Sequence, residues 1–148
     1  MKYQSYLCAS LAVLALSGFT GSAYAGGSSD LTGKSVMAVF AHPDDEGMVG
    51  PLLVKYARAG VDVRLAIVTD GRYGVREHAQ IPAGDQLVAV RAEEAKCATE
   101  ALGISPPIFL DYVDGKLNER NTLRKLPQDI ARLLAEVKPD VVLTWAPD

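Results

Sequence analysis

The residue types able to support catalysis are concentrated in one short stretch, Ala41-His42-Pro43-Asp44-Asp45-Glu46, which holds one imidazole and three carboxylates. A His-x-x-Asp spacing in a tight turn puts residues i and i+3 on the same side, near enough to share a metal ion. A histidine nitrogen with a carboxylate oxygen suits zinc or a similar divalent ion, whereas calcium and magnesium prefer oxygen ligands alone. An ordinary solvated turn with capping carboxylates is the alternative, and the spacing alone leaves both interpretations open.

His42, Asp44 and Asp45 would have different roles in such a metal site. His42 and Asp45 would be ligands, and Pro43 would keep His42 in an extended conformation. Asp44 would point elsewhere but remain near the open face of the metal, where a carboxylate can accept a proton from water. Catalytic zinc usually has three protein ligands, so two ligands alone would bind it weakly. Glu46 could simply complement the dipole of the helix that follows.

The loop follows five apolar residues, Val36 to Phe40, a pattern typical of a strand buried on both faces. Ligands of open α/β sheets bind at the carboxyl ends of strands, so the loop lies where a site is expected. Hydrophobic spacing, glycines and prolines predict strands at about 35–40, 61–69, 108–112 and 141–145, and helices at about 48–59, 86–102 and 127–137. Strands that alternate with helices indicate an α/β, Rossmann-like three-layer fold with a mostly parallel sheet.

The composition is that of one globular domain with a sizeable core. The chain has 148 residues, of which 49% are hydrophobic, and a formal net charge of −3. It contains no basic patch and no block of like charges, which argues against nucleic acid as a partner.

Residues 1–25 differ from the rest of the chain. Lys2 precedes an apolar run at residues 7–19, and Ala23-Tyr24-Ala25 then forms a small-x-small cleavage pattern. This order predicts a signal peptide that is removed before Gly26, and therefore a secreted or periplasmic protein. The apolar run is too short for a spanning helix, so no stable membrane span is expected after cleavage. The Gly/Ser-rich residues 26–34 are predicted to be a flexible spacer.

At the other end, the fourth predicted strand is followed only by Ala146-Pro147-Asp148, before any helix that could cover it. A parallel sheet needs cover on both faces. We therefore expect residues 35–148 to be the N-terminal part of a larger domain.

Five motifs in order resemble the PIG-L/LmbE-like family of GlcNAc-PI de-N-acetylase-like N-deacetylases. The loop at residues 41–46 is similar to the family's N-terminal signature. The other similar segments are residues 60–71, Arg91-Ala92-Glu93-Glu94-Ala95 with Ala101-Leu102-Gly103, Asp114-Gly115-Lys116-Leu117, and Pro139-Asp140-Val141-Val142-Leu143-Thr144. The resemblance implies a zinc-dependent enzyme that removes acetyl groups from N-acetylglucosamine-type substrates.

By position, the resemblance implies zinc ligands at His42 and Asp45, a general base at Asp44, and contacts to the sugar from Arg91 and Asp114. For Arg91 the alternative is a surface ion pair with Glu94 at i, i+3, and for Asp114 an ordinary turn residue.

The resemblance also implies a third zinc ligand from an H-x-D-H motif beyond Asp148, so that the 148 residues alone would be inactive. Arg72 stands where the family often has glutamate, which puts polar contacts from that loop in doubt. His78 is interpreted as a solvated loop residue.

Two other functions remain open from the sequence. The first is a non-catalytic sugar-binding module, or a degenerate family member that lacks a complete metal site. The second is a magnesium-dependent phosphoryl-transfer site, which ranks last because it would leave His42 without a role.

Overall fold

Apolar runs and amphipathic segments form alternating strands and helices in this computed structural model, which describes residues 31–75 and 80–146. The predicted signal peptide, most of the predicted spacer and His78 lie outside the described residues. In chain order the elements are β1 (Ser35–Phe40), a short 3-10 helix (Asp45–Met48), α1 (Gly50–Arg58), β2 (Asp62–Thr69), α2 (Asp85–Leu102), β3 (Ile108–Tyr112), α3 (Arg120–Val137) and β4 (Val141–Leu143).

The strands form one parallel sheet in the order β3-β2-β1-β4. β1 lies inside the sheet between β2 and β4, and its residues 36–40 are all buried. The prediction of a strand covered on both faces is therefore confirmed. Parallel pairing brings the carboxyl ends of all four strands to one edge of the sheet, where the acidic loop begins.

Helices cover both faces of the sheet, which confirms the predicted three-layer α/β fold. On one face, Ala38 and Phe40 pack with Leu53 of α1 and Ala95 of α2. On the other face, alternate strand residues such as Met37 pack against the apolar side of α3. Because successive side chains of a strand point to opposite faces, the continuous apolar run of β1 contributes to both layers.

The third helix differs from the sequence prediction. It begins at Arg120 and not near Pro127, so the proline lies inside the helix. An interior proline removes one backbone hydrogen bond and costs about 3 kcal/mol. Here Leu126, which precedes the proline, and Ile130, which follows it, both pack on the sheet. Packing of partly buried side chains on both sides of Pro127 stabilises the helix across the proline.

β4 also differs, because it ends at Leu143 and not at Trp145. It lies at the edge of the sheet, and Val141 and Val142 are 49% and 42% exposed, so the prediction of a buried strand is wrong for the described residues. The start of β4 is joined to β1 by Asp140. Its carboxylate accepts hydrogen bonds from the backbone N–H of Ser35 (2.8 Å) and from Lys34 Nζ (3.2 Å), and these bonds lower the pKa of Asp140.

Within the ranges that the structure describes, no helix is both long enough and apolar enough to cross a membrane.

Candidate active site

The acidic loop leaves β1 at its carboxyl end and is held there by β2. Both the backbone N–H and the hydroxyl of Thr69 donate to the carbonyl of Ala41, each at 2.8 Å. Asp44 has a φ of 97°, in the left-handed region, which costs an L-residue roughly 1–2 kcal/mol. Strained backbone of this kind is concentrated at functional sites. The loop conformation therefore marks this end of β1 as a candidate site.

His42 and Asp45 lie on the same side of the loop, as the His-x-x-Asp spacing predicts. Asp45 Oδ2 accepts a hydrogen bond from the backbone N–H of His42 at 3.0 Å and lies 3.7 Å from His42 Nδ1. The same oxygen accepts a hydrogen bond from Trp145 Nε1 at 3.3 Å. Sequence reasoning missed Trp145, which reaches Asp45 only because β4 pairs with β1.

The opposite nitrogen of His42 faces a second carboxylate. His42 Nε2 lies 3.2 Å from Asp114 Oδ1, and Asp114 is largely buried, with 13% of its side chain exposed. Asp114 Oδ2 accepts a hydrogen bond from the backbone N–H of Tyr73 at 3.3 Å. Asp114 is therefore more than an ordinary turn residue, because it joins the turn after β3 to His42 and to the loop after β2.

Arg91 of α2 forms the surface pair with Glu94 that the sequence offered as one alternative, and it also reaches the acidic loop. Its Nη1 lies 3.1 Å from Glu94 Oε2, which is the i, i+3 surface pair, and 3.4 Å from Asp44 Oδ2 in the acidic loop. Its Nη2 also donates to the carbonyl of Gly74 at 3.2 Å. Asp44 itself is 63% exposed, so its carboxylate remains open to a ligand on the side away from Arg91.

Glu46 is not a solvent-exposed residue at the start of the next helix. It is buried, with 6% of the residue exposed, and its Oε2 accepts a hydrogen bond from the backbone N–H of Asp44 at 3.0 Å. The buried carboxylate thereby supports the left-handed conformation of Asp44.

Asp70, at the end of β2, was not singled out from the sequence and joins three parts of the site. Its carboxylate is 6% exposed and accepts hydrogen bonds from Arg72 Nε at 2.8 Å and from the backbone N–H of Asp114 at 3.2 Å. Burial alone would raise the pKa of Asp70, but the hydrogen bonds from Arg72 and Asp114 lower it. Arg72, which also lies 3.5 Å from Asp85, is therefore directed to structural partners.

These residues surround a pocket of about 360 Å³ at the carboxyl edge of the sheet. The residues that line it are mostly polar or charged and include His42, Asp44, Tyr73, Gly74, Arg91 and Asp114. Gly71 also lines the pocket with a φ of 66°, and a Cβ there would lie 3.0 Å from Pro43 Cδ. A glycine is therefore required where the loop after β2 passes close to the acidic loop.

The donor set fits part of a zinc site. Two ligands of a tetrahedral zinc ion lie roughly 3.3 Å apart, given zinc–ligand distances near 2 Å, and His42 Nδ1 and Asp45 Oδ2 are 3.7 Å apart. Over residues 31–75 and 80–146, however, no group of three or more His, Cys, Asp or Glu side chains is arranged to hold a metal. The described residues therefore supply two donors of the expected kind.

Comparison with known proteins identifies the family. Residues 37–148 match the sequence profile of PIG-L, described as GlcNAc-PI de-N-acetylase. The chain belongs to the PIG-L family. This confirms the resemblance drawn from the five motifs, all of which lie within the matched residues.

Relatives of the chain include deacetylases of acetamido sugars. The chain is 32% identical to 1D-myo-inositol 2-acetamido-2-deoxy-alpha-D-glucopyranoside deacetylase 2 of Catenulispora acidiphila, over 78% of this chain and 45% of that protein. The structure of N,N'-diacetylchitobiose deacetylase from Pyrococcus horikoshii is similar, with a TM-score of 0.65, 28% identity, and coverage of 74% of this chain and 39% of that one.

A hydratase is also similar. The 4-carboxy-2-hydroxymuconate hydratase of Pseudomonas putida KT2440 has 25% identity and a TM-score of 0.62, with coverage of 74% of this chain and 45% of that one. The chain spans less than half the length of the curated relatives it matches.

The Asp70 network predicts a pH-dependent contribution to stability. Replacing Asp70 by Asn should lower the free energy of unfolding at pH 7 by about 1–3 kcal/mol, because buried charge-assisted hydrogen bonds are lost. Since the pKa of Asp70 is lowered in the folded state, this contribution is present above the ordinary carboxyl pKa and is lost as pH falls through the folded value. Urea denaturation at pH 7 and pH 3 measures both effects.

Asp62→Asn is the matched control, because Asp62 forms an exposed pair with Arg64, and such pairs contribute about 0–1 kcal/mol. The role assigned to the network would be contradicted if Asp70→Asn lowered the free energy of unfolding equally at pH 7 and pH 3. It would also be contradicted if Asp70→Asn lowered that free energy no more than the control does.

Proposed function

We propose that the full-length protein is a zinc-dependent hydrolase that removes an N-acetyl group from an N-acetylglucosamine-type sugar or glycoconjugate. The observation that carries the proposal is the acidic loop, where His42 and Asp45 approach within 3.7 Å beside the exposed Asp44. Membership of the PIG-L family and deacetylases of acetamido sugars among the relatives support it.

His42 and Asp45 would hold the metal in this proposal. When bound, zinc supplies a Lewis acid that polarises the acetyl carbonyl and acidifies water. The resemblance attributes the third ligand to an H-x-D-H motif, which is not found in the described ranges. The orientation of His42 suits this role, because Nδ1 faces Asp45 while Nε2 faces Asp114, which could fix the ring through its second nitrogen.

Asp44 acts as the general base. Its carboxylate accepts a proton from the attacking water as the water oxygen bonds to the acetyl carbon, and it returns the proton to the amine nitrogen as the carbon–nitrogen bond breaks. The products are acetate and the free amine. The exposure of Asp44 suits this role, and the ion pair with Arg91 at 3.4 Å restricts where its carboxylate lies.

Arg91 and Asp114 bind the sugar in this scheme. Both line the pocket beside the acidic loop, and each can form charge-assisted hydrogen bonds with hydroxyl groups. Asp114 already contacts His42 and Tyr73, so a hydroxyl bound there would lie next to His42.

A non-catalytic sugar-binding protein, or a degenerate family member with an incomplete metal site, is the competing function. The observation that favours it is that the described residues supply two metal donors, fewer than the three that catalytic zinc usually has. Metal content separates the two, since the deacetylase should contain one zinc per chain and the degenerate protein should contain none.

Replacing Asp44 by Asn tests the catalytic role. In the full-length protein, acetate release from N,N'-diacetylchitobiose should fall at least about 100-fold, because a general base contributes roughly that much. The zinc content, measured by elemental analysis, should stay the same, because Asp44 is not a ligand. Glu93→Gln, which changes an exposed carboxylate on α2 that pairs with Lys96, is the control and should keep wild-type turnover.

Full turnover by the Asp44→Asn variant would exclude Asp44 as the base. A wild-type protein that contains no zinc and releases no acetate would favour the non-catalytic alternative.

Replacing Arg91 by Gln tests whether Arg91 binds the sugar or only supports the surface of α2 through its pair with Glu94. If Arg91 binds the sugar, the KM for diacetylchitobiose should rise roughly tenfold or more, because hydrogen bonds to a charged group are lost. Glu94→Gln removes the surface pair but leaves the guanidinium near Asp44, so its KM should stay near the wild-type value. Equal, small effects of both substitutions on the steady-state KM would instead show that Arg91 does not bind the sugar.

We further propose that residues 1–25 are a signal peptide and that the mature protein is secreted or periplasmic. Mass spectrometry of the protein recovered from outside the cytoplasm should give an N-terminus at Gly26. Recovery of the uncleaved chain from the cytoplasm alone would contradict this localisation.

A further inference from the structure

Tyr73 is a large aromatic residue that is left uncovered at the rim of the pocket. It lines the pocket and is 59% exposed, whereas the more exposed apolar residues Met48 and Leu123 lie outside it. An aromatic side chain normally gains stability by burying 150–250 Å². Because more than half of Tyr73 is exposed, it lacks most of this stabilisation, and its exposed surface faces the pocket, where a ligand would contact it.

The turn that carries Tyr73 is held at several points. Its own backbone N–H donates to Asp114 Oδ2 at 3.3 Å, and the N–H of Gly74 donates to the carbonyl of Gly71 at 3.0 Å. The carbonyl of Gly74 accepts a hydrogen bond from Arg91. The ring lies beside Gly115, where a Cβ would be 3.7 Å from Tyr73 Cδ2. The backbone of Tyr73 is therefore fixed by the same residues that form the pocket.

The chemistry around the ring matches a pyranose. A sugar ring has a face of C–H bonds, which packs against an aromatic ring, and hydroxyl groups around its edge, which require hydrogen bonds. Among the described residues that line the pocket, Tyr73 is the only large aromatic side chain, and Arg91 and Asp114 beside it offer charged hydrogen-bonding groups. A short acyclic amide could use the charged groups but would leave the aromatic ring uncovered.

We propose that Tyr73 is a specificity-determining residue whose ring packs on the C–H face of a sugar ring of the substrate. This inference rests on the proposed function and deepens it by assigning the residue that recognises the sugar ring. Acyclic N-acetyl amines would lack this contact.

Three variants of the full-length protein test the proposal with N,N'-diacetylchitobiose as the probe. Tyr73→Ala should raise KM roughly three- to tenfold, the range that an aromatic packing contact provides, with kcat within about twofold of wild type. Tyr73→Phe keeps the ring and should restore the wild-type KM. Leu123→Ala removes an exposed apolar side chain of α3 outside the pocket and should leave both constants unchanged.

A wild-type KM for Tyr73→Ala would overturn the proposal. An equal rise in KM for Tyr73→Phe and Tyr73→Ala would also overturn it, because the hydroxyl would then be the recognised group. A fall in kcat alone would also overturn it, since it would indicate a role in loop structure.

Calorimetric binding of diacetylchitobiose separates this inference from the proposed activity. If the wild-type protein releases no acetate, the deacetylase proposal fails, but weaker binding by Tyr73→Ala with normal binding by Tyr73→Phe still supports the contact. Equal binding by all variants, or no binding by the wild-type protein, would overturn it.

Discussion

The buried carboxylate of Asp70 is the interaction on which the arrangement of the pocket depends. Its Oδ1 accepts backbone hydrogen bonds from Arg72 and Asp114, and its Oδ2 accepts two contacts from the Arg72 guanidinium, at 2.8 and 2.7 Å. A buried anion is stable only when its oxygens are satisfied in this way. Since those donors belong to the loops after β2 and β3, satisfying Asp70 also fixes how the two loops meet. Asp114 is thereby turned toward His42 and Tyr73.

Parallel pairing explains why such distant residues share one site. The loop after β1 carries His42, the loop after β2 carries Tyr73, and the turn after β3 carries Asp114, and all three strands end at the same edge of the sheet. β4 brings Trp145 to the same edge from the other side, where it reaches Asp45 across one hundred positions of sequence. The order β3-β2-β1-β4 thus places the metal-binding candidates centrally and the sugar-binding candidates to one side.

Local features of the site could be predicted from the sequence, and long-range ones could not. The proximity of His42 and Asp45 follows from a three-residue spacing, and the bounds of β1 and β3 follow from apolar runs with clear ends. The sequence predicts too late a start for α3, because proline favours the first turn of a helix, whereas packing of side chains on both sides of Pro127 allows the helix to begin at Arg120. The role of Asp70 depends on two loops that meet only in the folded chain, so nothing in the local sequence indicates it.

The orientation of His42 links the two halves of the proposed site. Its imidazole lies between Asp45 on the Nδ1 side and Asp114 on the Nε2 side, at 3.7 and 3.2 Å. A metal held by Nδ1 and Asp45 requires that Nδ1 carry no proton, so the ring proton must be on Nε2, where Asp114 can accept it. The carboxylate that is fixed by Asp70 would then select the tautomer able to bind metal. Asp114 therefore connects the residues proposed to recognise the sugar with those proposed to hold zinc, and its dual contacts explain why the turn after β3 must be positioned as firmly as the acidic loop itself.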